Sequence, residues 1–406
     1  MGKPKIRFKG FDNDWEQRKF SELYSKVSEK NDLSFGTEKI ISVANMYFKE
    51  DVKDSSEEYM RTYNIMRLGD IAFEGNKSKN YAHGRFVENT IGDGIVSHVF
   101  DVFRPIVDYD LFFWKYFINN ESVMGRIMTR CTKASTMMTN LVASDFLKEE
   151  ILVPSIDEQK EIGKYLDTLD HFITLHQRKC EDTKKLKKYM LQKMFPQNGS
   201  KVPEIRFKGF TDDWEQRKVS EIAIEKLSNG IMNNQVNDET GLRHINVINM
   251  YDPDKIHPEK LTFSGYDEDA VKKCNVELGD IFLTRSSLKP EGIAEANVLL
   301  DSGRFVYDDH LIRLKVDKEK YDPFFVKLNL SDRAFKRQFI IRAKTTAFTT
   351  IGQEDIAECS GLFPEKKEQE KIGTYFSQLD HLITLHQNKC EELKKIKKYM
   401  IQNMFV

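Results

Sequence analysis

The sequence predicts a mixed α/β (α+β) protein with two similar domains, joined by two long helices that pack as an antiparallel coiled coil with pseudo-two-fold symmetry. Three observations predict this architecture: a long internal repeat, a heptad pattern that closes each copy, and short β-like runs between turns inside each copy. The length of 406 residues suits two or three domains, and the 40% hydrophobic content is enough for packed cores.

The repeat is strongest at its two ends. Residues 4–11 read PKIRFKGF and return at 203–210 as PEIRFKGF, and residues 158–195 align without gaps to 368–405 with 25 of 38 positions identical. Between these ends the copies diverge, but Leu-Gly-Asp-Ile recurs at 68–71 and 278–281, and Gly-Arg-Phe-Val recurs at 84–87 and 303–306. A period of about 200 residues indicates duplication of a whole domain with an appended helix.

These matches predict five segments along the chain. They are a first domain at 1–153, a central helix at 154–196, a polar linker at 197–202, a second domain at 203–363 and a C-terminal helix at 364–406. The linker is predicted because Gly and Pro punctuate a short polar stretch between the copies.

Mostly apolar residues at alternating four- and three-residue steps close each copy, a pattern typical of a coiled coil, although polar residues interrupt its middle. The positions are Ile162, Leu166, Leu169, Ile173, His176, Cys180, Thr183, Lys187, Met190 and Met194, and then Ile372, Phe376, Leu379, Ile383, His386, Cys390, Leu393, Lys397, Met400 and Met404. A two-fold relation between the copies would set the helices antiparallel, as a spacer between two domains. We interpret Lys187 and Lys397 as side chains that reach water, although a role in fixing the helix register is the alternative.

A second apolar row flanks this seam and is wider than a two-stranded coil needs. Its members are Tyr165, Phe172, Leu186, Tyr375, Leu382 and Ile396. We predict that they form a docking surface for other subunits. The alternative is burial against the chain's own domains.

The interior of each copy contains short β-like runs, at 40–43, 71–73 and 96–103 and again at 245–248, 280–283 and 310–316. Helical patterns cover 111–129 and 323–341. These features predict a mixed α/β domain whose strand order the sequence does not reveal.

Polar, partly basic loops follow Leu-Gly-Asp-Ile in both copies, and a second polar stretch follows each helical pattern. Lys, Arg, Asn and Ser on loops suit phosphates and base edges, so these segments are candidate nucleic-acid contacts, with ordinary solvated loops as the alternative. The candidates are Asn76, Lys77, Ser78, Lys79, Arg85, Lys133, Ser135, Thr136, Arg285, Ser286, Ser287, Lys289, Arg304, Arg342, Lys344, Thr345 and Thr346.

Charge and composition exclude several classes of protein. A net charge of −1 excludes a uniformly basic surface, so any nucleic-acid surface must be local. No stretch is long and apolar enough for a membrane span, and no secretory signal opens the chain. Five scattered cysteines without CxxC spacing predict reduced thiols and a cytoplasmic protein. The sequence contains neither a Gly-x-x-x-x-Gly-Lys-[Ser/Thr] loop nor an [Asn/Asp]-Pro-Pro-aromatic segment.

Taken together, the motifs resemble the specificity subunits (HsdS) of type I restriction-modification systems across essentially the full chain. The resemblance rests on the duplicated Pro-x-Ile-Arg-Phe-x-Gly-Phe opening, the repeated Gly-Asp-Ile, and the helix starts at Pro154, Glu158 and Gln159 and at Pro364, Glu368 and Gln369. It implies two target recognition domains that read a bipartite site on double-stranded DNA. The constant helices would then hold two modification (methyltransferase) subunits, which restriction (nuclease-translocase) subunits join.

The same resemblance implies that this chain carries no cofactor and does no covalent chemistry. S-adenosylmethionine, ATP and Mg²⁺ would belong to the partner subunits. Two alternatives stay open: a scaffold whose repeated domains bind protein instead of DNA, and a self-sufficient methyltransferase or nuclease, for which Asp254 and Glu259 offer only a weak carboxylate cluster.

Overall fold

A computed structural model describes residues 3–50, 56–134, 138–197 and 199–406. The chain forms two compact units: Met1–His176 with Asn388–Val406, and Gln177–Gln387. We call them the first and second unit. Each unit contains one globular domain and parts of both long helices.

The first unit contains the first twelve strands and five short helices. The strands are β1 Glu16–Lys19, β2 Tyr24–Lys26, β3 Ile41–Ser42, β4 Tyr47–Phe48, β5 Asn64–Met66, β6 Ile71–Glu74, β7 Arg85–Glu88, β8 Gly94–Val96, β9 Val102–Pro105, β10 Thr132–Ala134, β11 Thr139–Leu141 and β12 Glu150–Val153; the helices are α1 Phe20–Leu23, α2 Glu57–Met60, α3 Leu111–Phe117, α4 Glu121–Cys131 and α5 Ala143–Phe146. The long helix α6, Ile156–Lys193, begins in this unit.

The second unit repeats this plan with additional short strands. The strands are β13 Glu215–Lys218, β14 Ser228–Asn229, β15 Gln235–Val236, β16 Leu242–Ile245, β17 Thr262–Ser264, β18 Ile281–Thr284, β19 Ser286–Ser287, β20 Ala296–Val298, β21 Phe305–Tyr307, β22 Leu311–Leu314, β23 Lys344–Thr345, β24 Thr349–Thr350 and β25 Ser360–Phe363; the helices are α7 Val219–Ile222, α8 Glu268–Cys274, α9 Pro323–Leu330, α10 Arg333–Arg342, α11 Gln353–Ala357 and α12 Lys366–Met404. Short 3-10 turns add Val247–Tyr251, Pro258–Lys260 and Pro290–Gly292 here and Thr37–Lys39 in the first unit.

A four-stranded antiparallel sheet lies at the centre of each domain, in the order β2-β9-β6-β7 in the first unit and β14-β22-β18-β20 in the second. The strand that follows Leu-Gly-Asp is buried along its whole length in both units, because the sheet is covered on both faces. Two of the predicted strands at 71–73 and 280–283 are therefore the inner strands β6 and β18.

The sheet topology contradicts one match drawn from the sequence. Arg85–Glu88 is the edge strand beside β6, whereas the strand beside β18 is Ala296–Val298. Phe305–Tyr307 instead pairs in parallel with β16. The four-residue Gly-Arg-Phe-Val match is too short to define a register, so Arg85 and Arg304 are not equivalent positions.

Three predicted runs are divided in the structure. Residues 96–103 contain the end of β8 and the start of β9 with a turn between them, while 111–129 and 323–341 each form two helices. The helix breaks have a local cause: Asn120 and Asp332 cap the second helix of each pair by accepting backbone N–H bonds from Ser122 and Ala334.

The long helices run antiparallel to each other inside each unit. In the first unit, Lys397 pairs with Asp170 (2.5 Å) and the Cys390 thiol lies 3.5 Å from the Ile173 carbonyl. In the second unit, Lys187 pairs with Asp380 (2.5 Å) and the Cys180 thiol lies 3.9 Å from the Ile383 carbonyl. The interpretation that the two lysines reach water is wrong, because each one forms an interhelical ion pair.

The repeated opening segment ties each domain to the start of its long helix. Arg7 makes a two-pronged ion pair with Glu158 (2.6 and 2.7 Å), and Arg206 makes the same pair with Glu368 (2.8 and 2.8 Å). Both glutamates are buried. The glutamine after each one bonds the carbonyl of the proline five residues earlier. These contacts explain why the opening and the helix start are repeated together.

No helix in the described part of the chain is long and apolar enough to cross a membrane. All five cysteines lie in the described part of the chain, where they are buried and form no disulfide.

Candidate nucleic-acid interface

In the first unit, the loop after β6 and the hairpin of β10 and β11 lie side by side. Asn76 bridges to Met138 on the hairpin, and the Thr139 amide donates to the Gly75 carbonyl (2.8 Å). Asn76, Lys77, Ser78 and Lys79 are exposed on the loop, and Lys133 is exposed on the hairpin. Ser135 and Thr136 lie outside the described residues.

In the second unit, the two predicted segments join in one small sheet. Its strand order is β19-β24-β23, so Ser286–Ser287 and Lys344–Thr345 flank Thr349–Thr350. Arg285, Lys289, Arg342 and Thr346 adjoin these strands and are exposed. Segments about 60 residues apart in sequence thus form a single polar surface, and the first unit brings the equivalent segments together.

The basic candidate residues fall into two groups according to whether they form an ion pair with a carboxylate. Among the described residues, no carboxylate forms an ion pair with Lys77, Lys79, Lys133, Arg285, Lys289, Arg342 or Lys344. Arg85, by contrast, is paired with Glu74 (3.0 Å) and also bonds the Ala44 carbonyl, and Arg304 is paired with Glu268 of α8. Cations without a carboxylate partner are the ones able to neutralise phosphates.

A tight turn begins the buried strand that leads to each loop. Gly69 and Gly279 adopt positive φ angles of 85° and 94°, where glycine is favoured. The next residue, Asp70 or Asp280, accepts the backbone N–H of the residue three positions earlier (2.8 and 2.9 Å). Burial raises the pKa of Asp70, and it raises the pKa of Asp280 to about 6. Gly69-Asp70 and Gly279-Asp280 therefore form equivalent tight turns in the two units.

Two exposed apolar side chains at the second-unit surface were not predicted from the sequence. Leu288 is 81% exposed between Ser287 and Lys289, and Phe348 is 54% exposed at the tip of the β23-β24 hairpin. Apolar side chains of this kind can contact thymine methyl groups in a groove. Their exposure has no signal in the sequence, because a single Leu or Phe between polar residues is equally consistent with burial.

The second apolar row on the long helices divides into two sets. Phe172, Leu186 and Leu382 are 41–44% exposed. Tyr165 packs edge-on against Phe8 and Tyr375 against Phe207, at ring distances of 5.8 and 6.1 Å, and Ile396 joins the core of the first unit. The latter three residues therefore contact the chain's own domains. Leu385, Tyr189 and Tyr399, which were not predicted, are exposed on the same helices.

The family model described as the type I restriction modification DNA specificity domain matches residues 13–184 and again residues 211–395. A Methanocaldococcus jannaschii protein assigned as the MjaX type I restriction enzyme specificity subunit is 23% identical over 95% of this chain and 91% of its own length. The MjaVIII specificity subunit of the same organism is 24% identical over 61% of this chain and 59% of its own length.

A solved structure gives the same fold. The type I restriction-modification S subunit of M. genitalium superposes with a TM-score of 0.57 at 13% identity, covering 100% of this chain and 99% of its own. The chain belongs to the family of type I restriction-modification DNA specificity subunits, with two target recognition domains. The predicted fold class, with two similar mixed domains and two long helices, is confirmed.

Proposed function

We propose that each unit reads one half of a bipartite DNA target through the surface formed by its post-β6 or post-β18 loop and the neighbouring hairpin. The observation that supports this most strongly is the assembly of two sequence-distant polar segments into one surface whose cations form no ion pair with a carboxylate of the described residues. The loop and hairpin would contact phosphates and base edges, while the framing segments keep each reader on its helix.

The test is the salt dependence of DNA binding. Replacing both Lys77 and Lys79 by Ala should weaken binding and lower the slope of log affinity against log salt by up to about 2, because about 0.9 counterions are released per neutralised phosphate. The matched control is Lys184→Ala with Lys188→Ala on the exposed face of α6. Equal loss in the control, or binding that does not depend on salt, would favour a scaffold that binds protein instead.

We also propose that the two readers are separable. Exchange of residues 1–150 for those of a relative should change only one half of the methylated sequence, when methylated adenines are mapped in cells that contain the matching partners. A change in both halves would contradict two independent readers.

The exposed apolar residues on the long helices support a second part of the proposal, in which these helices hold two modification subunits, joined by restriction subunits. Phe172→Asp with Leu382→Asp should reduce co-purification of the modification subunit while both domains stay folded. Glu181→Ala with Glu391→Ala, at exposed polar positions of the same two helices, is the control. Unchanged co-purification of the double variant would remove this assignment.

We propose that the chain itself is not catalytic, and that S-adenosylmethionine, ATP and Mg²⁺ act on the partner subunits. The Asp254 carboxylate accepts His257 Nε2–H (2.8 Å), and Glu259 lies 3.0 Å from Nδ1 of the same ring, so both carboxylates are occupied by one imidazole. The purified chain incubated with DNA, S-adenosylmethionine and Mg²⁺ should neither methylate nor cleave. Turnover would favour the self-sufficient enzyme.

A further inference from the structure

The turn between β21 and β22 in the second unit carries three metal-binding residue types in a row. Asp308, Asp309 and His310 each direct one ligand atom into a space where those atoms lie within 4.8 Å of one another. His310 Nδ1 is 3.0 Å from an oxygen of Asp308 and 3.0 Å from an oxygen of Asp309. Such separations match neighbouring ligands bonded to one ion at about 2.0–2.2 Å.

A fourth side chain reaches this cluster from the protein interior. His244 on β16 is fully buried, and its Nε2 has no hydrogen-bond partner among the described residues, yet this atom lies 4.0 Å from Asp308 Oδ2. That distance is too long for a hydrogen bond but can be spanned by two bonds of about 2.0–2.2 Å to a shared ion. A buried polar atom without a hydrogen-bond partner is destabilising, so its persistence needs an explanation.

The other ring nitrogen of His244 has a partner that orients the imidazole. Nδ1 lies 2.5 Å from the hydroxyl of Ser264, which is itself buried. When Nδ1–H donates to Ser264 Oγ, the lone pair of Nε2 faces the Asp308 carboxylate. A neutral lone pair opposite a carboxylate is stabilised by a cation between them, and a ligating histidine commonly donates its second N–H in this way.

We propose that His244, Asp308, Asp309 and His310 form a binding site for a divalent transition-metal ion in the second recognition domain. Two imidazoles with two carboxylates suit Zn²⁺ and related ions better than Mg²⁺, which prefers oxygen ligands alone. Asp309 and His310 are 42% and 62% exposed at their side chains, so the site opens to solvent on one side.

The site adjoins the candidate nucleic-acid interface. The His310 carbonyl accepts the backbone N–H of Arg285 (2.8 Å), and the Asp308 and Asp309 amides donate to Ile245 and Ile231. A bound ion would therefore tie the β21–β22 turn, the β16 strand and the base of the Arg285 loop together. Its role would be to position this loop.

The first unit lacks these ligands at the equivalent places. Ile40 bridges in parallel to Ile95 just as His244 pairs in parallel with Val306, so an isoleucine stands where the buried histidine stands. Ser97 and His98 follow β8 where Asp308 and Asp309 follow β21. The first unit is thus an internal control for metal binding.

Calorimetric titration of the chelator-treated full chain with Zn²⁺ alone tests the site. The wild type should bind about one equivalent of Zn²⁺. The double variant Asp309→Asn/His310→Gln should bind Zn²⁺ at least about tenfold more weakly, and the control His98→Gln should bind it with wild-type affinity. Both altered residues are exposed, so the variant should fold. Absence of Zn²⁺ binding, or equal affinity in the wild type and the double variant, would overturn the proposal.

Competition with Mg²⁺ and substitution of His244 test the same metal site independently of the double variant. Excess Mg²⁺ should leave the bound Zn²⁺ in place, and displacement by Mg²⁺ would contradict imidazole ligation. His244→Gln should also lose the tight equivalent; if it does not fold, Co²⁺ absorption of the wild type must show nitrogen ligands. None of these measurements uses DNA, so their failure would not touch the proposed DNA reading.

Discussion

The two units share the ion pairs that attach each domain to its helix, but the buried polar groups near those pairs have different hydrogen-bond partners in the two units. Arg7–Glu158 and Arg206–Glu368 are equivalent ion pairs. The interhelical pairs are also equivalent, yet their surroundings are not. Asp170 accepts a hydrogen bond from the Tyr116 hydroxyl (2.6 Å). In the second unit Leu328 stands at the place of Tyr116, and Asp380 Oδ2 has no hydrogen-bond partner in the part of the chain that the structure describes.

A second difference lies in the central sheets. Glu88 and Val298 occupy the same place at the edge strand, since the next residue in each case exchanges backbone bonds with the Gly-Asp turn. Glu88 is buried, and desolvation together with the nearby Asp110 carboxylate raises its pKa well above the ordinary value. The comparison teaches that duplication preserved the attachment of domain to helix, while each interior found its own solution for buried polar groups.

The shared ion pairs predict the largest effect. Glu158→Ala and Glu368→Ala should each lower the free energy of unfolding of their own unit by about 3–5 kcal/mol, because each leaves an arginine charge mostly buried and unpaired. Urea unfolding followed by tryptophan fluorescence measures this, with Trp214 in the second unit and Trp15 and Trp114 in the first. Glu161→Ala, on an exposed helix position, is the control. Losses below about 1 kcal/mol would show that the pairs do not hold the frame.

The buried glutamate predicts a pH effect confined to the first unit. Because the folded-state pKa of Glu88 is raised, the folded chain keeps a proton that the unfolded chain has lost, and stability falls as pH rises above about 4.3 through the folded pKa. Glu88→Gln should remove this loss of stability. Its free energy of unfolding should exceed that of the wild type by about 2 kcal/mol at pH 8 and by less at pH 5.

Stability curves at several pH values test this effect, with the exposed Glu57→Gln as control. A benefit of Glu88→Gln that does not grow with pH would show that the carboxyl does not titrate as proposed.

The tyrosine at the first interhelical pair predicts a smaller difference. Tyr116→Phe should lower first-unit stability by about 1.5 kcal/mol, since a hydrogen bond to a charged group is lost. Tyr189→Phe, whose ring is half exposed, should change stability by less than about 0.5 kcal/mol. Equal thermal shifts for the two variants would mean that the Tyr116 hydroxyl does not support Asp170.

The loop lysines predict the smallest effect on stability. Lys77→Ala with Lys79→Ala, and Lys289→Ala with Lys344→Ala, should each shift unfolding by less than about 0.5 kcal/mol because these side chains are exposed and make no ion pair with a described carboxylate. Thermal melts of both variants measure this. A larger loss in either unit would indicate a structural role and weaken its assignment to DNA contact.

Much of the architecture was predictable because it repeats. The heptad positions identified the long helices, and every residue of the pattern is buried or partly buried. The predicted loops adjoin the second polar stretches, which form hairpins, although nothing in the sequence paired them: β19 and β24 are strand partners whose residues are about 60 positions apart. Their individual roles as DNA contacts remain predictions, as do the five domain boundaries.

The failures share a physical cause. Lys187 and Lys397 were interpreted as surface residues because the sequence of one helix shows no partner for them. Only the packing of the two helices places Asp380 and Asp170 beside them. The Gly-Arg-Phe-Val match predicted equivalent strands wrongly, because strand register depends on long-range pairing and not on four identical residues.

The sequence by itself determined the duplication, the two long helices and the family, because periodicity and repeated framing segments are local and survive divergence. Only the tertiary structure decided which polar groups meet: the loop with its hairpin, Lys187 with Asp380, and His244 with the Asp308 turn. Such pairings depend on strand order and on the faces that buried residues present to one another. Those are set by the packing of the whole domain and not by neighbours along the chain.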